Sequence, residues 1–105
     1  LHSQKFDEST VKKLNHMLDL VDTAIDCMIV NLRQGFHHII NISNAQDAEH
    51  DINEYRDNLK EEHLRHIEAE EGEYLRGVYY MDLVSECERV GDFAINISEA
   101  LVEVN

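Results

Sequence analysis

Between Tyr80 and Val104 the apolar residues recur at alternating spacings of three and four: Tyr80, Leu83, Cys87, Val90, Ala94, Ile97, Leu101 and Val104. A sustained stripe of that period is one face of a long helix, and it constrains the fold more than any other feature of the chain. Two further stripes keep the same rhythm. One is Leu14, Leu18, Val21, Ile25, Met28 and Leu32; the other is Ala45, Ala48, Ile52, Tyr55 and Leu59, weakening into Glu62, His66 and Ala69. There is no Pro and there are only four Gly to interrupt them. The spacing predicts helices over about 8–35, 43–71 and 73–103.

A helix with one apolar stripe gains its stability by packing that stripe, and short connections make neighbouring helices antiparallel. The predicted fold class is therefore all-α: a three-helix antiparallel up-down-up bundle, like a single spectrin repeat. The 105 residues suffice for one modest core, so 1–105 read as a single domain. The predicted core is Leu18, Ile25, Ile52, Leu59, Leu83, Val90 and Ile97.

Local signals set the ends. Asp7 or Ser9 can cap the first helix. Ser43 with Gln46 reads as a capping box for the second. Residues 36–43 read equally as a connection or as further helical turns. Gly35 and Gly72 mark the breaks. Gly91 is different, because it lies inside the strongest helical pattern. A mid-helix Gly costs about 1 kcal/mol against Ala, so it implies close approach of another helix or a ligand shell.

The formal net charge is −13, and residues 44–74 alone carry eleven acids against three bases. Such a surface repels nucleic acid and anionic lipid headgroups and attracts cations and basic partners. No stretch is apolar for the length a bilayer span needs, so direct membrane insertion is not expected. Cys27 and Cys87 stand singly on apolar helical faces and read as buried, reduced thiols.

Oxygen side chains form ridges off the apolar seam. Glu88, Asp92 and Asn96 follow one another at single helical turns. Glu49 and Asn53 repeat the spacing on the second helix, and Asp19, Asp22 and Asp26 make a ridge on the first. Rows of hard oxygen ligands suit divalent or trivalent cations such as zinc or iron. The same rows are also what a solvated acidic face looks like. Two facing carboxylate pairs differ from isolated ones, because their mutual repulsion is relieved by a cation.

Histidine offers an alternative. His63 and His66 are one turn apart beside Glu62 and Glu70, so a metal-carboxylate enzyme or a metal-storage bundle is the competing function. Ferritin-like di-iron bundles use Glu-x-x-His on two helices, and that motif does not occur here. His37 and His38 are adjacent and diverge on any helix. No phosphate loop, nucleophile elbow or catalytic triad spacing is present, so no catalytic residue and no organic cofactor is assigned, and an enzyme is not expected.

The stretch Leu83–Ile97, L-x-x-x-x-E-R-V-G-D-x-x-x-N-I, resembles the third-helix signature of the PhoU domain family. A second stretch, Glu49-His50-Asp51-Ile52-Asn53-Glu54-Tyr55-Arg56 followed by Leu59, is similar to the E-x-x-I-N-x-x-R-x-x-L segment of the PhoU-like tails of bacterial sodium/phosphate cotransporters. The resemblance covers about residues 10–103 and implies a regulatory or interaction domain of a phosphate transport system. It implies a soluble tail on the cytoplasmic side of the bacterial inner membrane, part of a longer chain with a transporter membrane domain. It further implies a surface metal cluster, with Glu49, Asn53, Glu88 and Asp92 as ligands and Asp22 and Asp26 as contributors from the first helix. Asn53 departs from the acidic residue that some members carry there. Family members of the signalling type hold two three-helix repeats and this chain shows one, so a homodimer is expected to stand in for the second. Val84, Ile95, Phe93, Val78 and Tyr79, which lie off the seam, would form its interface.

Overall fold

The computed structural model describes residues 7–34, 41–69 and 74–104, with side chains over 7–34, 41–65 and 77–103. It contains helices α1 (Glu8–Gln34), α2 (Ser43–Ala69) and α3 (Tyr74–Val104), and every pair of helices is in contact. This is the expected up-down-up bundle, drawn out to 55 × 24 × 17 Å.

Each start has a local cause. Asp7 Oδ1 accepts the Thr10 amide at 2.8 Å, which satisfies one of the orphan donors of α1. At α2 the cap is Asn41 rather than a Ser43–Gln46 box: Asn41 Oδ1 accepts the Ser43 amide at 2.8 Å, and the Gln46 amide donates to the Ile42 carbonyl. Residues 41 and 42 are therefore connection. Residues 36–40, and the breaks at Gly35 and Gly72, lie outside the described residues.

Cross-helix pairs give the register. Lys13 Nζ meets Glu62 Oε2 at 3.1 Å, and Asn31 and Asn44 exchange side-chain hydrogen bonds, so α1 and α2 run antiparallel. Gly91 faces Ile52 and Gly77 faces His63, so α2 and α3 are also antiparallel. Asn31 Nδ2 donates to Ser98 Oγ at 3.1 Å across 67 residues, which places α1 parallel to α3. The same offset sets Met17 level with Val84 and Ala24 level with Gly91.

The core differs from the predicted one in two helices. On α2 the seam is as read: Ala45, Ala48, Ile52 and Leu59 are buried, with Tyr55 packed against them. On α1 the buried residues are Met17, Val21, Ala24 and Asn31, and on α3 they include Val84, Gly91, Ala94, Ile95, Ser98 and Leu101. Leu18, Leu83, Val90 and Ile97, expected inside, are 50%, 45%, 41% and 38% exposed, and Ile25 is only partly buried. Val84 and Ile95, read as lying off the seam, are core.

The cause is the size of the residues that meet the neighbouring helices. Tyr80, Cys87, Ala94 and Leu101 belong to both possible stripes. The alternate positions are taken by Gly77, Val84, Gly91 and Ser98, not by the larger Leu83, Val90 and Ile97. Small residues let the backbones approach, and the gain in close packing outweighs the burial forgone. A Cβ on Gly91 would stand 2.6 Å from Ile52 Cδ1, and one on Gly77 would run into the His63 imidazole. The close approach inferred for Gly91 is thus to a helix.

The two seams give opposite mutational patterns. Leu59→Ala, at a site 1% exposed, should cost about 2–5 kcal/mol. Leu83→Ala should cost only a small fraction of that. Gly91→Val should destabilise by about 1–3 kcal/mol through overpacking, despite better helix propensity. Thermal melts of the three variants check this; equal losses for Leu59→Ala and Leu83→Ala would restore the larger-residue seam.

Candidate functional site

The tight α2–α3 contact carries two polar ridges along its outer edge. Glu49, Asn53 and Arg56 recur at helical spacing beside the α2 seam, and Glu88, Asp92 and Glu99 line α3. Because the helices are antiparallel, the ends of the ridges meet in reverse order.

Arg56 faces Glu88. Its Nη1 forms an ion pair with Glu88 Oε2 and reaches Asn53 Oδ1 at 3.4 Å, while Nη2 pairs with Asp57 Oδ1 at 3.0 Å. The Arg56 and Glu88 side chains are 20% and 23% exposed. At this depth a guanidinium–carboxylate pair is screened less than a surface pair, and removing one partner strands the other.

The other end has no such compensation. Partial burial raises the Glu49 carboxyl above its ordinary range, and the negative charges of Asp92 and then Glu99 push it further in the same direction. Glu49, Asp92 and Glu99 therefore form an acidic cluster in which Asp92 and Glu99 weigh on Glu49.

The sequence-predicted residues divide accordingly. Glu49, Asn53, Glu88 and Asp92 do come to one face. Glu88 and Asn53 are engaged by Arg56, whereas Glu49 and Asp92 are left with Glu99. Asp22 and Asp26 lie exposed on α1, and neither forms a hydrogen bond or ion pair with this face. Among the described residues no group of three or more His, Cys, Asp or Glu side chains converges as a metal site. The His63 ring lies over Gly77, and His66 lies outside the described side chains. As arranged, the face holds a guanidinium where facing carboxylates would place a metal.

Arg56 and Glu99 were not among the predicted site residues. Their signal was present: Arg56 is one turn beyond Asn53, and Glu99 continues the ridge of Glu88, Asp92 and Asn96. Cys27 and Cys87 are only partly buried, not buried as expected; that partial burial raises both thiols above their ordinary value, with smaller pushes from Asp26 and Glu86.

The comparisons decide the family. The PhoU domain model matches residues 14–101, which takes in all three helices and both ridges. The chain belongs to the PhoU domain family. PhoU domains are helical regulatory domains of phosphate homeostasis that interact with other proteins. Comparison with curated proteins and with solved structures returned no match. Among the described residues of this PhoU domain, no helix is long and apolar enough to cross a membrane.

The acidic cluster predicts an inverted pH dependence. A carboxyl whose folded pKa is raised contributes stability at low pH and loses it as pH rises through the folded value. Ionised Glu49 therefore weighs against folding at neutral pH. Glu49→Gln should raise the thermal midpoint at pH 7, and the gain should vanish as pH falls into the ordinary carboxylate range. Melts of the two proteins from pH 4 to pH 8 measure it; a lowered midpoint at pH 7 would mean that ionised Glu49 is stabilising.

Proposed function

We propose that this chain is the regulatory interaction domain of a phosphate transport system, carried as the cytoplasmic-side tail of a sodium-dependent phosphate transporter. The observation that carries the proposal is the PhoU match across the whole bundle. The resemblance of Glu49–Leu59 to the tails of sodium/phosphate cotransporters supports the finer assignment. An acidic surface suits a domain that binds basic protein segments and stays off anionic lipid.

Deleting residues 8–104 from the host protein should leave phosphate uptake unresponsive to external phosphate. Radiolabelled phosphate uptake, measured in cells grown in phosphate-rich and phosphate-poor medium, reads this directly. An unchanged response would overturn the regulatory role. Sodium-independent uptake by the parent, with the response lost on deletion, would overturn the transporter assignment and leave the role.

Metal enters the proposal in one form. Zinc or iron binds through Glu49, Asp92 and Glu88 only where Arg56 releases Glu88, since the guanidinium and a metal cation compete for that one carboxylate. Arg56→Met, which frees Glu88 and Asn53, should then show a larger zinc-dependent rise in thermal midpoint than the parent. If neither protein is stabilised by zinc or iron, the ridge acts through charge alone.

A further inference from the structure

The apolar residues left outside the core are not scattered. The Lys13–Glu62 pair turns one edge of α1 toward α2, and the Arg56–Glu88 pair turns one edge of α3 toward α2. Leu18, Ile25 and Leu32 lie on the opposite edge of α1; Leu83, Val90 and Ile97 lie on the opposite edge of α3. Both sets therefore border the α1–α3 groove. The two helices are parallel with the offset seen at Asn31 and Ser98. The six residues fall at three staggered levels, each α3 residue two positions short of that offset: Leu18 near Leu83, Ile25 near Val90, and Leu32 near Ile97. Phe93, 71% exposed, stands on the α3 bank beside them.

The banks are mostly acidic. Asp19, Asp22 and Asp26 are exposed on the α1 side, and Asp82 and Glu86 on the α3 side. Of the exposed cations here, Arg89 pairs with Glu86 at 3.2 Å, and Arg33 stands beside Leu32 at one end of the groove. An apolar groove between two parallel helices accepts the ridge of another helix. The acidic banks select the charge of that helix. A second copy of this chain would set acidic bank against acidic bank, and an anionic bilayer would meet the same repulsion.

We propose that the α1–α3 groove docks a cationic amphipathic helix from a partner protein. Its apolar stripe lies on these three levels and its Lys and Arg side chains meet Asp19, Asp22 and Asp26. This deepens the regulatory reading and rests on it for the partner's place in a phosphate system. The homodimer expected from the sequence is the rival occupant.

The test uses the full chain and a fluorescein-labelled peptide of about three heptads, with Leu at the seam positions and Lys beside them. A control peptide carries Glu in place of Lys. The Lys peptide should bind in a salt-sensitive way and the Glu peptide should not. Leu18→Asn with Leu83→Asn should weaken binding about tenfold or more, as loss of apolar anchors does. Asp19→Asn, Asp22→Asn and Asp26→Asn together should weaken it and flatten the salt dependence. The same charge removal on α2, by Asp47→Asn, Glu54→Gln and Glu61→Gln, should leave binding nearly unchanged. Circular dichroism checks the leucine variant; the surface aspartate variant keeps the test decisive if that protein unfolds. Equal binding of the Glu peptide, or equal loss from the α1 and α2 charge variants, would overturn the proposal. So would sedimentation showing a dimer of the chain that is lost in the leucine variant. No phosphate enters these measurements, so failure here is distinguishable from an unchanged uptake response.

Discussion

The bundle depends on the close approach of α3 to α2 at Gly91. A side chain there would overlap Ile52, one of the most deeply buried residues of the core. Glycine in a helix interior is unfavourable by about 1 kcal/mol, so the position is held by packing and not by helix propensity. One heptad on either side, Val84 and Ser98 keep the interface narrow, and two heptads toward the N-terminus of α3 Gly77 repeats the glycine against His63. Gly77, Gly91 and Ser98, with Val84 between them at the same period, turn α3 so that Leu83, Val90 and Ile97 face away from α2.

That rotation also sets the electrostatics. Moving the helices together brings two acidic ridges within reach of each other, a repulsive arrangement in a chain of net charge −13. Arg56 offsets it at one end by pairing with Glu88. At the other end Glu49 still feels the charges of Asp92 and Glu99. A fold held by close packing can carry such a cluster, because dispersion and apolar burial outweigh partly screened charge repulsion. Where Asn31 and Ser98 replace apolar residues in the seam, their hydrogen bond, with Asn44 beside them, satisfies the buried groups. A polar contact of this kind favours a single register, since sliding the helices would leave the groups unpaired.

Much was legible in the sequence. Helix number, order and limits followed from the period and the break signals, because amphipathic spacing is a local property of the chain. The α2 seam was read correctly, since its outer positions are polar and only one apolar stripe exists. The family was legible from E-R-V-G-D-x-x-x-N-I, and so was the set Glu49, Asn53, Glu88 and Asp92 as residues of one face. The seams of α1 and α3 were misread for the opposite reason. Each of those helices is apolar over a wide arc, and Leu14, Val21 and Met28, like Tyr80, Cys87, Ala94 and Leu101, fit two stripes equally.

The sequence by itself determined three amphipathic helices, an acidic surface and membership of the PhoU domain family. The tertiary structure decided which edge of each wide apolar arc is buried. Hydrophobicity alone favours Leu83, Val90 and Ile97, but backbone approach favours Val84, Gly91 and Ser98. That preference exists only once Ile52 of another helix is present to fill the space. It also decided that Arg56 joins the α2–α3 face, because an ion pair between two helices depends on their register, and neither helix encodes that register alone.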